Sequence, residues 1–432
     1  MGSLAPKFAV LTLAVTAAFF AFQHFGGEAD SRPTHRKLYE YKDGMCDGYI
    51  ETEYRWLVVG LLCWGIFYMF WALSIVCDEY FVASLEEISD VLGLSPDVAG
   101  ATFMAAGSSA PELFTSLMGV FAVKNDVGVG TIVGSAVFNL CCIIGGTALF
   151  SPILLKIDWK PITRDSFFYG LSIVGMIYVL MDGTVTTIEA SVLVAFYFVY
   201  VLVMYLNESI MDAINKCSNT ENMEKVDHLE LDGKDGEEDE DEDGGIISTA
   251  IALPLNAVFS ISIPNCTSDE MKKWYIVTFT MSILWIGLLS YFMVTWASKL
   301  GCMFGVHPAI MGCTILAAGT SVPDAIGSLI VAKQGQGDMA VSNAIGSNVF
   351  DILLGLGIPW MLNGLIYGVS LDVDTESLLP LSIILVGTLF GVYFVSLANG
   401  FTMTPCIGMI FFSFYFVFVA YNLAHEFDLI AF

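Results

Sequence analysis

The stretch AAGSSAPE at residues 105–112 recurs as AAGTSVPD at residues 317–324, and the shift of 212 residues aligns 100–140 with 312–352 without a gap. The same register places Asp126 on Asp338 and GSAVFN (134–139) on GSNVFD (346–351). Chance does not produce so long an ungapped match, so the chain contains an internal repeat. Each copy sets a proline and then an acid into an apolar surrounding, and that combination decides the fold reading.

The solvent for that reading is a lipid bilayer. Of 432 residues, 56% are hydrophobic and only 14% charged, with mean hydropathy +0.71, more apolar surface than a water-soluble fold can bury. The formal charge of −27, from 44 acidic against 17 basic residues, excludes nucleic acid as a natural partner and favours cations. The ten cysteines include no CxxC pair, which argues against zinc, and Cys63, Cys141, Cys142, Cys313 and Cys406 lie in apolar runs. Cys46 and Cys302 both fall in segments assigned outside the cell, where oxidising conditions permit a disulfide between them.

Hydropathy predicts ten spans of about 20 residues, near 53–77, 98–122, 128–151, 166–182, 186–206, 274–297, 308–332, 339–361, 379–398 and 402–423. They form two groups of five, 53–206 and 274–432, separated by an acidic cytosolic loop at 207–273. The run after Lys7 reads as a leader at 1–25, either a cleaved signal peptide or a signal anchor, followed by an extracellular segment at 26–52. Five crossings separate the copies, so the second must run opposite to the first. The expected fold is an all-α polytopic membrane protein with ten transmembrane helices in two inverted-topology repeats of five, plus the leader. The sequons at Asn207 and Asn265 then face the cytosol and stay unglycosylated. The acidic run EEDEDED (237–243) resembles an EF-hand loop only in its first half; the position for the bidentate Glu falls on Ala250, so it reads as a solvated linker.

Within each repeat, every residue type has a physical task. Pro111 and Pro323 lack an N–H and clash with the carbonyl four residues back, freeing backbone oxygens near Gly107 and Gly319 for a cation, and Ala105 and Ala317 are counted with the site. Ser108, Ser109, Thr320 and Ser321 let backbones approach and add neutral oxygens. At spacings of three and four residues these hydroxyls share a helix face with Glu112 and Asp324 respectively. Ser135 precedes Asn139 by four residues, as Ser347 precedes Asp351, and here the copies differ, one neutral and one acidic. A carboxylate in mid-membrane costs about 3 kcal/mol on insertion scales, and two at matched positions outweigh the alternative of a buried acid merely bonded to a neighbouring helix. Oxygen-only ligation selects hard cations such as Ca2+, Na+ and K+. Asp126 and Asp338 read as helix caps, Lys124 and Lys333 as interfacial anchors, and His307 as an ordinary loop residue.

These two motifs, with GSNVFDILLGLGIPW after the second and SIVCDEYFVASLEEISDVLGLSPDVAGATF before the first, resemble the alpha-1 and alpha-2 repeats of the potassium-dependent sodium/calcium exchangers. The resemblance implies that Glu112 and Asp324 bind Ca2+, that Asp351 determines K+, and that the remaining matched oxygens line a shared site. Potassium-independent sodium/calcium exchangers are similar but carry Asn where Asp351 stands. The expected activity is entry of Na+ against exit of Ca2+ and K+ in a multi-pass protein of the plasma membrane, with no enzyme chemistry and no cofactor beyond the transported ions. A potassium-independent or cation/proton exchanger, and from other classes a Ca2+-permeable channel or a membrane-embedded hydrolase, are the competing readings.

Overall fold

Long apolar runs punctuated by Gly, Pro and short polar turns can satisfy their backbone groups in lipid only as helices. The computed structural model describes residues 55–92, 105–151, 155–217, 246–266, 272–333 and 337–427. The leader at 1–25, the segment at 26–52, Cys46 and the acidic run at 237–243 lie outside the described residues. Two units are distinguished, Met1–Glu40 with Ile210–Val258, and Tyr41–Ser209 with Phe259–Phe432. Within the first, only helical residues at 210–217 and 246–258 are described.

Eleven helical runs are described. The first, α1, is Arg55–Ile75 continued by a π-helical turn at Val76–Val82 and by Ala83–Leu92. α2 comprises Ala105–Ser108 and Ala110–Met118 and ends in a π turn at Gly119–Val123. α3 is Val127–Phe138, a π turn at Asn139–Ile143 and Ile144–Phe150. α4 is Trp159–Leu180, α5 Thr187–Cys217, α6 Ile246–Ser262 and α7 Tyr275–Phe304. α8 runs through Pro308–Met311, a π turn at Gly312–Leu316, Ala317–Thr320 and Val322–Lys333. α9 is Gly337–Phe350, a π turn at Asp351–Leu356 and Gly357–Tyr367; α10 is Thr375–Ala398 and α11 Pro405–Glu426.

Seven of these runs are long and apolar enough to cross a membrane, eight if the two parts of α8, bent by 43° at their break, count as one. Length and composition thus fall short of the ten expected spans among the described residues. α2 begins only at Ala105, and α4 carries Lys160, Arg164 and Asp165 in its first turns. The segment 207–273, expected to be a loop throughout, contains α6. Its apolar sequence IISTAIALPLNAVFSIS is short for a span and holds Pro254, so hydropathy alone passes over it. Its C-terminal end is anchored: Phe259 meets Trp285 edge-on at 5.1 Å, and Trp285 Nε1 donates to Ser262 Oγ at 2.9 Å.

Among the described residues, four two-residue strands tie the ends of the helices. β1, Leu155–Lys156, pairs antiparallel with β4, Thr402–Met403; β2, Thr184–Val185, pairs antiparallel with β3, Leu371–Asp372. β1 and β2 lie at opposite ends of α4, so the two clips close opposite ends of the helix layer. β1 follows α3 as β3 follows α9, while β2 lies between α4 and α5 as β4 lies between α10 and α11. Each clip therefore joins one half of the chain to the other.

At the centre, α3 is buried without a break from Val127 to Gly145, whereas large apolar side chains on α1, α5 and α10, such as Trp64, Phe198 and Phe394, are exposed as lipid-facing residues are. The burial of α3 depends on glycine. A Cβ at Gly130 would overlap the Ala309 carbonyl, and one at Gly134 the backbone of Cys313. The backbones of α3 and α8 therefore meet directly, which only small residues permit.

Candidate cation site at the paired helix breaks

The two repeated motifs break in the same way. Ser109 stands at φ −91°, ψ 7° and Ser321 at φ −87°, ψ 3°, just before each proline-led restart. Proline is favoured at the first positions of a helix because its missing N–H is not needed there. The restart sets Glu112 and Asp324 in the first turn of a new helix, where free N–H groups and the helix dipole favour negative charge.

Packing then brings the copies together. Ser321 Oγ donates to Glu112 Oε1 at 3.2 Å across 209 residues of sequence, and Thr320 lies beside the same carboxylate. Ser108 lies beside Asp324, and Ser109 approaches Asp351 without closing a hydrogen bond. Asp351 is within electrostatic range of both Glu112 and Asp324. All three acids are buried, at 1%, 4% and 1% exposure for Glu112, Asp324 and Asp351. Glu112 Oε2 and both carboxylate oxygens of Asp324 and Asp351 have no hydrogen-bond partner, nor do Ser109, Thr115, Ser116 and Ser328. Buried carboxylate oxygens without partners are costly, and a cation is the natural complement to such a set.

The hydroxyls and the amide around these acids keep oxygen lone pairs free. Ser135 Oγ donates to the Ile132 carbonyl at 3.0 Å, Ser347 Oγ to Ala344 at 3.3 Å and Thr320 Oγ1 to Leu316 at 3.1 Å. With their protons spent on their own helices, these hydroxyls have lone pairs left to offer. Asn139 Nδ2 donates to Asn348 Oδ1 at 2.9 Å and to Ser347 Oγ at 3.4 Å, which leaves Asn139 Oδ1 unpaired. The Ala317 carbonyl, counted with the site, accepts long bonds from Ser321 N–H at 3.3 Å and from the Thr320 hydroxyl at 3.4 Å. Ala105 opens α2. Among the described residues no three His, Cys, Asp or Glu side chains converge into a ready metal cage, so any one cation there must draw largely on hydroxyl, amide and backbone oxygens.

Two nearby groups escaped the sequence reading. Asn348 stands where the first copy has Ala136, a second breach of the repeat beside Asp351 that the alignment itself displays. Asp78, held by Ser74 Oγ at 3.0 Å in the π turn of α1, lies within electrostatic range of Asp324. The adjacent acids Asp78 and Glu79, directly after a long apolar run, are the signal for it in the sequence.

Two expected roles need correction. Asp126 occupies the cap position of α3 but its side chain makes no capping bond; Asn125 Oδ1 accepts from Val127 N–H at 3.3 Å instead. Asp126 is instead held near Asp374, and burial, with that neighbouring charge, raises its pKa to about 6. His307 is more than a loop residue. Its Nδ1 caps α8 by accepting from Ala309 N–H at 3.2 Å, while Nε2 lies 3.4 Å from Asp374 Oδ2. Burial lowers the His307 pKa. Cys302 is disulfide-bonded, and Cys46, the partner expected for it, lies outside the described residues.

A family model described as sodium/calcium exchanger protein matches residues 62–206 and 274–424, covering both halves of the helical unit and both motifs. This chain belongs to that family. As a member of the sodium/calcium exchanger proteins it is a multi-pass membrane transporter, mostly helical. Among its relatives, human sodium/potassium/calcium exchanger 3 is 34% identical over 87% of this chain and 82% of its own length. Human sodium/potassium/calcium exchanger 5 is 38% identical over 69% of each. The solved sodium-calcium exchanger NCX_Mj superposes with TM-score 0.49 at 22% identity, over 83% of this chain and 98% of that one.

Proposed function

We propose that this protein is a potassium-dependent sodium/calcium antiporter of the plasma membrane, exchanging Na+ inward for Ca2+ and K+ outward at one midplane site. Glu112 and Asp324 take Ca2+. Asp351 adds the charge that lets K+ travel with it, and Na+ competes for the same oxygens. Ser108, Ser109, Ser135, Asn139, Thr320, Ser321 and Ser347, with backbone oxygens at Ala105 and Ala317, complete the shell. The observation that carries this reading is the meeting of Glu112 with Ser321 from the other motif, amid carboxylate oxygens that have no protein partner.

The charge balance favours K+. Two carboxylates neutralise one Ca2+, and a third leaves room for a monovalent cation, which an amide at that position would not compensate. The sodium/potassium/calcium exchangers to which the chain is similar carry this ion set in their names. Ten spans in two inverted repeats of five would give each motif access from one side in turn. The two strand clips, exchanged by the repeat and closing opposite ends of α4, support that arrangement. The potassium-independent exchanger remains the second reading, and Asp351 stands against it. The test is uptake of 45Ca2+ into Na+-loaded vesicles with and without external K+. K+-stimulated uptake is expected; uptake that ignores K+ would move the assignment to the second reading, and uptake without an outward Na+ gradient would point to a channel.

A further inference from the structure

Tyr169 lies on α4, outside both repeated motifs, and is fully buried with a hydroxyl that has no hydrogen-bond partner. Both carboxylate oxygens of Asp351 share that condition. The two residues are within electrostatic range of each other, and α4 packs against the π turn that Asp351 begins.

The surroundings give this pair a direction. Asp165, one turn before Tyr169, is fully buried and held by Arg164 Nε at 2.8 Å and by Ser342 Oγ at 2.6 Å. Ser342 belongs to α9, the helix that leads to Ser347 and Asp351. Ser172, a turn beyond, donates to the Tyr169 carbonyl at 2.7 Å. A polar edge of α4 thus accompanies α9 from its first turns toward Asp351. Packing alone would be met by phenylalanine, which α4 uses at Phe167 and Phe168; an unpaired buried hydroxyl at 169 costs energy that packing does not return.

We propose that Tyr169 is a positioning residue for the monovalent-cation part of the site, its phenol closing a hydrogen bond to the Asp351 carboxylate when the cation is bound and so fixing that carboxylate toward the ion. The proposal rests on the reading of Asp351 as the K+ determinant. It extends the site from the four helices of the two motifs to a fifth, α4, that the repeat does not mark.

The test uses the full-length protein in vesicles, measuring Na+-dependent 45Ca2+ uptake against K+ concentration for the parent, Tyr169→Phe, Asp351→Asn and the double variant. Tyr169→Phe keeps the ring, so folding is preserved. It is expected to raise the K+ concentration for half-maximal uptake about tenfold, the scale of one charge-assisted hydrogen bond, with Ca2+ half-saturation and maximal flux retained. In the Asp351→Asn background the same change should do nothing. A K+ half-saturation within twofold of the parent, or a loss of flux equal at every K+ concentration, overturns the proposal. K+-independent uptake by the parent itself would overturn the reading of Asp351 instead, and the positioning role with it.

Discussion

Ser321 Oγ donates to Glu112 Oε1 at 3.2 Å, a bond between residues 209 apart that joins the two copies of one motif. The bond orients one oxygen of the carboxylate and leaves Oε2 unpaired. Ser321→Ala is expected to raise the Ca2+ concentration for half-maximal uptake up to about tenfold while leaving turnover at saturation. Glu112→Gln, which removes the charge, is expected to abolish Ca2+ flux. Full Ca2+ transport by Glu112→Gln in vesicles would remove this carboxylate from the site.

Asp351 separates the two exchanger readings. Asp351→Asn should yield Na+-dependent Ca2+ uptake that no longer responds to K+, since the amide keeps the shape of the side chain but not its charge. A titration of uptake against K+ decides it, and an unchanged response would place K+ elsewhere.

Gly130 tests the contact of α3 with α8. Gly130→Val must displace the Ala309 carbonyl, and overpacking of this kind costs about 1–3 kcal/mol. A lower melting temperature in detergent is expected. Gly387→Ala on α10, where a Cβ meets nothing within 4 Å, should leave the melting temperature unchanged or raise it.

Asp126 gives a pH signature. Its pKa is about 6 in the fold against an ordinary 3.8, so the folded protein binds this proton more tightly than the unfolded chain. The resulting contribution to stability is complete below the unfolded value and is lost as pH rises through about 6. Asp126→Asn is therefore expected to raise the melting temperature by a few degrees at pH 7.5, and by little at pH 5, where the native carboxyl is already mostly protonated. An equal gain at both pH values would show that the charge beside Asp374 is not the cause.

Much of the site was legible because its chemistry is local. A proline two residues after Ser109 or Ser321 restarts the helix wherever the motif occurs, and an acid next to it falls in the first turn. The repeat doubled that signal. Asn348 was legible in principle from the same alignment, since it replaces Ala136, yet its importance shows only in the bond to Asn139. Position marks Asp126 as a cap, whereas its neighbour Asn125 supplies the bond and Asp374 approaches from the turn before α10. His307 carries no local signal because its partners, Asp374 and the carboxylate of Glu426 that accepts from its backbone N–H at 2.7 Å, are distant in sequence.

The order of residues alone specifies a membrane-embedded helical protein, two broken helices with an acid at each restart, and a third acid where the copies differ. Those features depend on hydropathy, proline geometry and spacing within one or two turns. Only the tertiary structure decided which oxygens meet: Glu112 with Ser321, Asn139 with Asn348, and Tyr169 near Asp351. These encounters are fixed by the glycine-lined contact of α3 with α8 and by the packing of α4 on α9, because contacts between distant segments depend on the shapes of whole helix faces, which no local spacing records.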